Sequence, residues 1–328
     1  MAAYTTIDDP EKFFQTKLYT GNGGTNAITF DGTSNLSPDF VWLKMRSNAD
    51  NHTLFNTTSG VGERLFSNLG QVESTESTSL TAFGSDGFTL GADAIANANT
   101  ETYVSWNWKE SATSGFDIVT FTGNQTARTI SHSLSAKPEW LWIKNREKDE
   151  SWHTQHGALG ATKTAESNTT GAFGTGSTIW NDTEPTTSVF SVGNNGNINE
   201  TDSGILVYLW TSKQGYSKFK SYTGNGSADG SFIYTGFKPA FVMIKASAAA
   251  KNWEMFDNKR DGFNQSNDTI YANADTAEGA AGRCNLLSNG FKLTTASTHL
   301  NTDGGVFVYM AFAESPFVNS KGVPTNAR

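Results

Sequence analysis

Apolar residues along this chain come in short runs, alternating or continuous, each bounded by Gly, Asn, Ser or Pro. That is the pattern of β-strands; a helix would repeat its apolar positions every third or fourth residue. One run is written three times: Pro38-Asp39-Phe40-Val41-Trp42-Leu43-Lys44, Pro138-Glu139-Trp140-Leu141-Trp142-Ile143-Lys144 and Pro239-Ala240-Phe241-Val242-Met243-Ile244-Lys245. Successive side chains of a strand point to opposite faces. Here both faces are apolar, with Phe40 and Trp42 on one and Val41 and Leu43 on the other. The pattern predicts a strand covered twice, once by the facing sheet of its own sandwich and once by a long loop, a neighbouring domain or another subunit.

Other landmarks keep the same step. Tyr19-Thr20-Gly21-Asn22 returns as Phe121-Thr122-Gly123-Asn124 and Tyr222-Thr223-Gly224-Asn225, and these read as hairpin turns. Tyr103-Val104 running into Trp106-Asn107-Trp108-Lys109 is matched by Phe307-Val308 running into Met310-Ala311-Phe312-Ala313, with Ile205 to Trp210 a looser copy. A period of about a hundred residues is too long for a solenoid and fits one small domain per copy. The expected fold class is therefore all-β, three tandem jelly-roll-like β-sandwich domains at 18–112, 113–214 and 215–316, with a leader at 1–17 and a tail at 317–328. The linkers, Ser111 to Gly115 and Thr211 to Gly215, are short enough to predict a fixed arrangement. If each copy is a complete domain, residues 116–215 alone should form a cooperative, β-rich monomer. In the leader, Asp8 or Asp9 followed by Pro10 and Glu11 predicts a short capped helix through Phe13 and Phe14, which either pack on the first domain or dock the chain on another protein.

Composition narrows the function. A formal charge of −8 with scattered Lys and Arg argues against nucleic acid as a partner. The single cysteine, Cys284, precludes an intramolecular disulfide. The amino terminus lacks the pattern of a signal peptide and no apolar run is long enough for a membrane span, so the expectation is synthesis in the cytoplasm without membrane insertion. Ser85-Asp86-Gly87 and Ser288-Asn289-Gly290 read as hairpins whose glycines supply positive φ. The second copy has Gly171 to Asp182 in that place, which marks it as the copy with a distinct surface.

Candidate chemistry is sparse. His153 and His156 form an H-x-x-H pair, but three positions apart on a strand they face opposite ways, and no third metal ligand is specified. No phosphate loop, dinucleotide fingerprint or nucleophile elbow occurs, so neither a cofactor nor an enzymatic activity is expected. Most tryptophans recur at strand positions and read as core. Trp180, in the divergent stretch, and Trp152 with His153 and His156 are the candidate surface contacts, and on that reading Trp180→Ala leaves the melting temperature nearly unchanged.

The leader Thr6 to Phe14, the Leu18 to Gly23 turn, the Pro38 to Lys44 strand with Arg46 to Ala49, the His52 to Phe55 segment, Ser85 to Gly91 and Tyr103 to Lys109 together resemble a module of tailed-bacteriophage structural proteins, familiar from phages of marine bacteria and cyanobacteria. The first copy matches nearly throughout. The other two keep the turn, the Pro-to-Lys strand and the closing strand. The resemblance implies a virion location and brings no catalytic residues. Taken with the residues above, the expectation is a non-enzymatic tail or tail-fibre component that contacts a host surface glycan or protein, assembles as a homo-oligomer and binds other virion proteins, with Phe13 and Phe14 as candidate docking residues. The alternative it leaves is a capsid decoration, cement or head-fibre protein.

Overall fold

A computed structural model describes residues 4–261, 264 and 266–326. The chain is all-β and sandwich-like, and three units repeat one strand plan. In the first, antiparallel strands lie in the order Phe14–Thr20, Thr102–Trp108, Phe40–Met45, Thr53–Asn56, Glu63–Phe66 and Ser74–Thr75, faced by Asn26–Thr29, Gly87–Leu90 and Leu80–Gly84. The second repeats the order as Phe116–Thr122, Gly204–Trp210, Trp140–Asn145, His153–His156, Lys163–Glu166 and Gly174–Thr175, faced by Arg128–Ser131 and Val189–Val192. In the third, Ser217–Thr223, Val306–Pro316, Phe237–Ala246, Glu254–Asp257, Ser266–Tyr271 and Gly279–Leu287 continue through Gly290–Leu293 to Phe232–Tyr234, so one sheet serves both layers. The roll is jelly-roll-like because the first strand of a unit pairs with its last in one layer, while the second pairs with the next-to-last in the other.

The Thr-Gly-Asn turns are therefore not hairpins; they carry the chain from one layer to the other. Glycine is required there by close approach, since a Cβ on Gly21, Gly123 or Gly224 would lie 2.0, 2.0 or 2.3 Å from the carbonyl oxygen of Ala98, Glu200 or Thr302. Each turn is pinned by a fully buried asparagine, Asn97, Asn199 or Asn301, whose Oδ1 accepts from the backbone N–H of Asn22, Asn124 or Asn225. Of the two hairpin glycines, only Gly87 has positive φ; Gly290 is needed because the carbonyl of Ile233 would meet its Cβ at 2.1 Å.

The two apolar faces of these strands have two destinations. Val41 and Leu43 enter the sandwich core of the first unit, and Leu141 and Ile143 that of the second. Phe40, Trp42, Trp140, Trp142, Phe241 and Met243 enter a single core shared by all three units. Ring contacts cross every boundary: Phe40 to Tyr208 at 4.3 Å and Trp42 to Trp142 at 5.2 Å, Trp140 to Trp253 at 5.9 Å, and Trp106 to Phe241 at 5.7 Å. The second covering is thus the neighbouring units of the same chain.

Polar bonds run around this core in two cycles of opposite sense, and in the first each unit uses the same positions. The N–H groups of Glu73, Phe173 and Glu278 donate to the carbonyls of Arg146, Ser247 and Arg46, each in the next unit. Two of those three contacts carry an ion pair as well, Arg146 with Glu73 and Arg46 with Glu278 at 2.7 Å; at the third, Phe173 lies against Trp253 instead. Equivalent rings make a second cycle: Trp152 Nε1 donates to the Phe66 carbonyl at 2.8 Å, Trp253 Nε1 to Thr169 at 3.2 Å and His52 Nε2 to Tyr271 at 3.0 Å. His52 is held in that tautomer because its Nδ1 accepts from Trp42 Nε1. The chain closes on itself with approximate threefold symmetry.

The leader is part of this closure. Among its described residues one 3-10 turn forms, Pro10–Lys12, and Phe14 already begins the first strand. Its ring packs on Trp108 and on Phe312 and Phe241 of the third unit, while Phe13 lies against Tyr216. No linker joins the third unit to the first, so these two phenylalanines help fasten the one boundary that the backbone does not. Phe14 is buried and unavailable for docking on another protein, which corrects the docking expectation for that residue; Phe13 is half-buried. Asp8 accepts from the N–H of Ser320, which ties the leader to the tail.

Cutting out one unit would expose its share of the common core. For the second unit that includes Trp140, Trp142, Trp152, Tyr208 and Trp210. Aromatic side chains bury roughly 150–250 Å² each, and at about 25 cal/mol per Å² five of them represent roughly 20–30 kcal/mol; losing even about a third of that would match the typical net stability of about 5–15 kcal/mol. Residues 116–215 alone are therefore expected to be molten, aggregated or self-associated, and the whole chain to unfold in one transition. Sedimentation and circular-dichroism melting of the fragment test this; a folded monomer with cooperative melting would contradict it.

Candidate functional site

The residues singled out as surface contacts are interior. Trp180 is 0% exposed, in the sandwich core of the second unit with Ile179, Phe190 and Val192. The backbone explains it: Gly91 donates to the Ser79 carbonyl as Gly193 donates to that of Ile179, which puts Trp180 in register with buried Leu80. In the second unit a single helical turn, Ser177–Trp180, ends where the strand Leu80–Gly84 begins in the first, no strand follows it there, and the tryptophan fills the space. Trp152 lies in the shared core. His153 and His156 sit on one strand and face opposite ways: His153 pairs with Ile143 on the sandwich side, and His156 pairs with Trp140, packing edge-on to its ring. Cys284 is buried, which pushes its thiol pKa well up. Among the described residues no group of three His, Cys, Asp or Glu is placed to hold a metal ion, and no helix is long and apolar enough to cross a membrane.

The three units differ on the outside at the mouth of the sandwich, between the first strand of the large layer and the second strand of the unit. In the first unit a loop folds over this mouth: Gln15 bonds the N–H of Gly32 and the carbonyl of Ser34, and Lys17 pairs with Asp31 at 3.3 Å. In the second, Asp117 at the position of Gln15 accepts from the N–H of Ser133 at 2.6 Å. In the third, Lys218 holds that position. The covering loop also shortens, with eight residues between Thr29 and Pro38, six between Ser131 and Pro138, and four between Tyr234 and Pro239.

The uncovered mouth is a groove of two adjoining hollows of about 480 and 520 Å³, both lined by Lys218, Lys220 and Tyr234. Tyr4 joins the first, its hydroxyl 2.9 Å from that of Tyr234, and Phe232 joins the second. Phe232 and Tyr234 are 47% and 48% exposed. They alternate with buried Ile233 on the edge strand, in register with Ala27 and Thr29 of the first unit and Thr129 and Ser131 of the second. Lys218 donates to the Tyr234 carbonyl at 2.9 Å, with its ammonium 5.2 Å from that ring; burial, then the neighbouring Lys220 charge, lowers its pKa. Lys220 pairs with Glu139 at 2.5 Å. Flat rings here lie beside ammonium groups. Neither aromatic was singled out from sequence, although aligning Tyr234 with Thr29 and Ser131 would have marked it as an outward position.

The family model described as "Domain of unknown function (DUF7483)" matches residues 9–316. No curated protein matches the chain.

Two outcomes follow from the burial found here. Trp180→Ala should cost about 3–5 kcal/mol in urea unfolding, as large-to-small changes of buried aromatics do; an unchanged midpoint would put the ring back on the surface. Burial pulls the pKa values of His153 and His156 down to about 4, in His153 against the Glu166 charge and in His156 against the Tyr309 carbonyl bond and Glu139. The unfolded chain takes up protons below about pH 6.5 that the folded chain refuses, so this stability is present above that pH and is lost as pH falls toward 4. Glu110, raised to about 7, and Asp268, raised to about 6, act in the opposite sense, both chiefly through burial. Comparing wild type with His156→Gln isolates one group: the gap between them should shift in the variant's favour by on the order of 3 kcal/mol from pH 6.5 to 4. A pH-independent gap would contradict a buried neutral His156.

Proposed function

We propose that this chain, which belongs to the DUF7483 family, is a non-enzymatic structural component of a bacteriophage particle, in the tail or its fibres, that contributes to contact with the host surface. The observation that carries this reading is the closed, single-chain threefold, in which three sandwich-like units share one aromatic core. A block fastened at every boundary transmits force without relying on flexible linkers, and its outer rims are left for contact. The resemblance of the leader, turn and strand motifs to tailed-phage structural modules supports the same location. Other virion proteins would hold it in place, and repetition in a homo-oligomer would multiply weak surface contacts into avidity.

A second reading, capsid decoration, draws on the same symmetry. A chain with approximate threefold symmetry fits a threefold position of a shell as one copy, where a one-unit protein would need three.

Cryo-electron microscopy of particles that carry the protein separates the two. Density of this three-lobed block in the tail or fibres is the expected result. Density on the head would favour decoration, and absence from the particle would overturn both.

A further inference from the structure

We propose that the open mouth of the third unit binds a carboxylate-bearing saccharide, with sugar rings lying on Phe232 and Tyr234 and carboxylates reaching Lys218 and Lys220. The inference deepens the surface-contact reading and rests on it for its biological sense, though its chemistry stands on the groove.

Two sister units build the same edge strand with Ala27 and Thr29, or Thr129 and Ser131, where the third has Phe232 and Tyr234. The fold therefore does not need aromatic rings at these positions, and each one left half in water forgoes hydrophobic stabilisation. Three changes coincide in this one unit: the covering loop is shortest, the loop-binding Gln15 or Asp117 becomes Lys218, and the outward small residues become aromatic. Together they clear a groove and line it.

Size and charge narrow the occupant. Hollows of about 480 and 520 Å³ are within the range of small-ligand sites, roughly 300–1,000 Å³, and are open along the edge, which suits a chain of rings. The protein as a whole carries −8, yet the groove presents two lysines, with Glu139 paired to Lys220 and no carboxylate within 4 Å of the Lys218 ammonium among the described residues. With Lys220 already paired, the groove holds an excess of one positive charge, which favours a partner with negative charge at low density; a polyphosphate would be repelled by the acidic surface and has far more charge than the groove can match. A neutral apolar peptide would bury Lys218 without a counter-charge, which costs more than it returns. A saccharide with a carboxylate on each ring matches both features: its C–H faces pack on aromatic rings whose polar tips stay wet, and its charges are spaced a ring apart.

The test uses the full-length purified chain, so it is separate from where the chain sits in a particle. Isothermal titration with oligogalacturonate and oligosialate should show saturable binding to at least one, weakened about tenfold or more by Phe232→Ala with Tyr234→Ala and by Lys218→Gln. These positions are on the surface, and an unchanged melting temperature verifies that the variants are folded. Methyl esterification of the galacturonate should abolish the contribution of the lysines, and oligoglutamate, with equal charge and no rings, should bind at least about tenfold more weakly. No binding to either acidic saccharide, equal binding by the aromatic double variant, or oligoglutamate binding as tightly would each overturn the proposal. Failure here with density in the tail leaves the contact reading standing; binding here with the protein absent from particles removes that reading and keeps the site.

Discussion

The rest of this structure depends on burying a second apolar face. A sandwich covers one side of each of its sheets, but the Phe40–Met45 strand and its two counterparts carry large apolar groups on both. Phe40, Trp42, Trp140 and Trp142 are too large to leave in water, and a unit of about a hundred residues has nothing else to set against them. Three such faces turned toward one another satisfy each other, and the approximate threefold follows from three near-copies meeting in equivalent ways. The cyclic backbone bonds from Glu73, Phe173 and Glu278 then fix the register of that meeting, since each donor is served by the next unit and not by its own.

A symmetric interior leaves the exterior free to diverge, and the divergence is ordered. Positions that touch the common core keep their type or exchange like for like, as Trp106, Tyr208 and Met310 do. Positions that secure boundaries vary more, provided the contact survives: an ion pair at two boundaries becomes a phenylalanine on a tryptophan at the third. At the sandwich mouth the bond to the loop gives way in the third unit to one from Lys218 to the Tyr234 carbonyl, and exposed aromatic rings stand beside it. Such a loss, in one copy out of three, is where a function added to a scaffold is expected to show.

Much of the architecture was legible in the sequence because its signals are local. Alternation of apolar residues gave the strands, and the three-times-written Pro-to-Lys run predicted a strand covered on both faces. What covered the second face was not legible, because contacts such as Trp42 with Trp142 link residues a hundred apart and have no local signature. The same gap hid the role of the Thr-Gly-Asn turn, whose pinning asparagine, such as Asn97, lies some seventy-five residues downstream. Trp180 was misread because its neighbours are polar, the stretch being loop-like on one side and core on the other; its register with Leu80 was the signal that mattered. The groove was missed for the opposite reason: Phe232 and Tyr234 look like ordinary strand aromatics until the sister units show small residues at the same positions.

The central claim is that three repeated units form one cooperative body through a shared core. Native-state hydrogen exchange tests it most directly, by comparing amides in Phe40–Met45, Trp140–Asn145 and Phe237–Ala246 across low denaturant concentrations. One common opening free energy, with one dependence on denaturant for all three strands, is the predicted result. Three separate opening energies, with one unit exchanging while the others remain protected, would contradict it and return the chain to three independent domains.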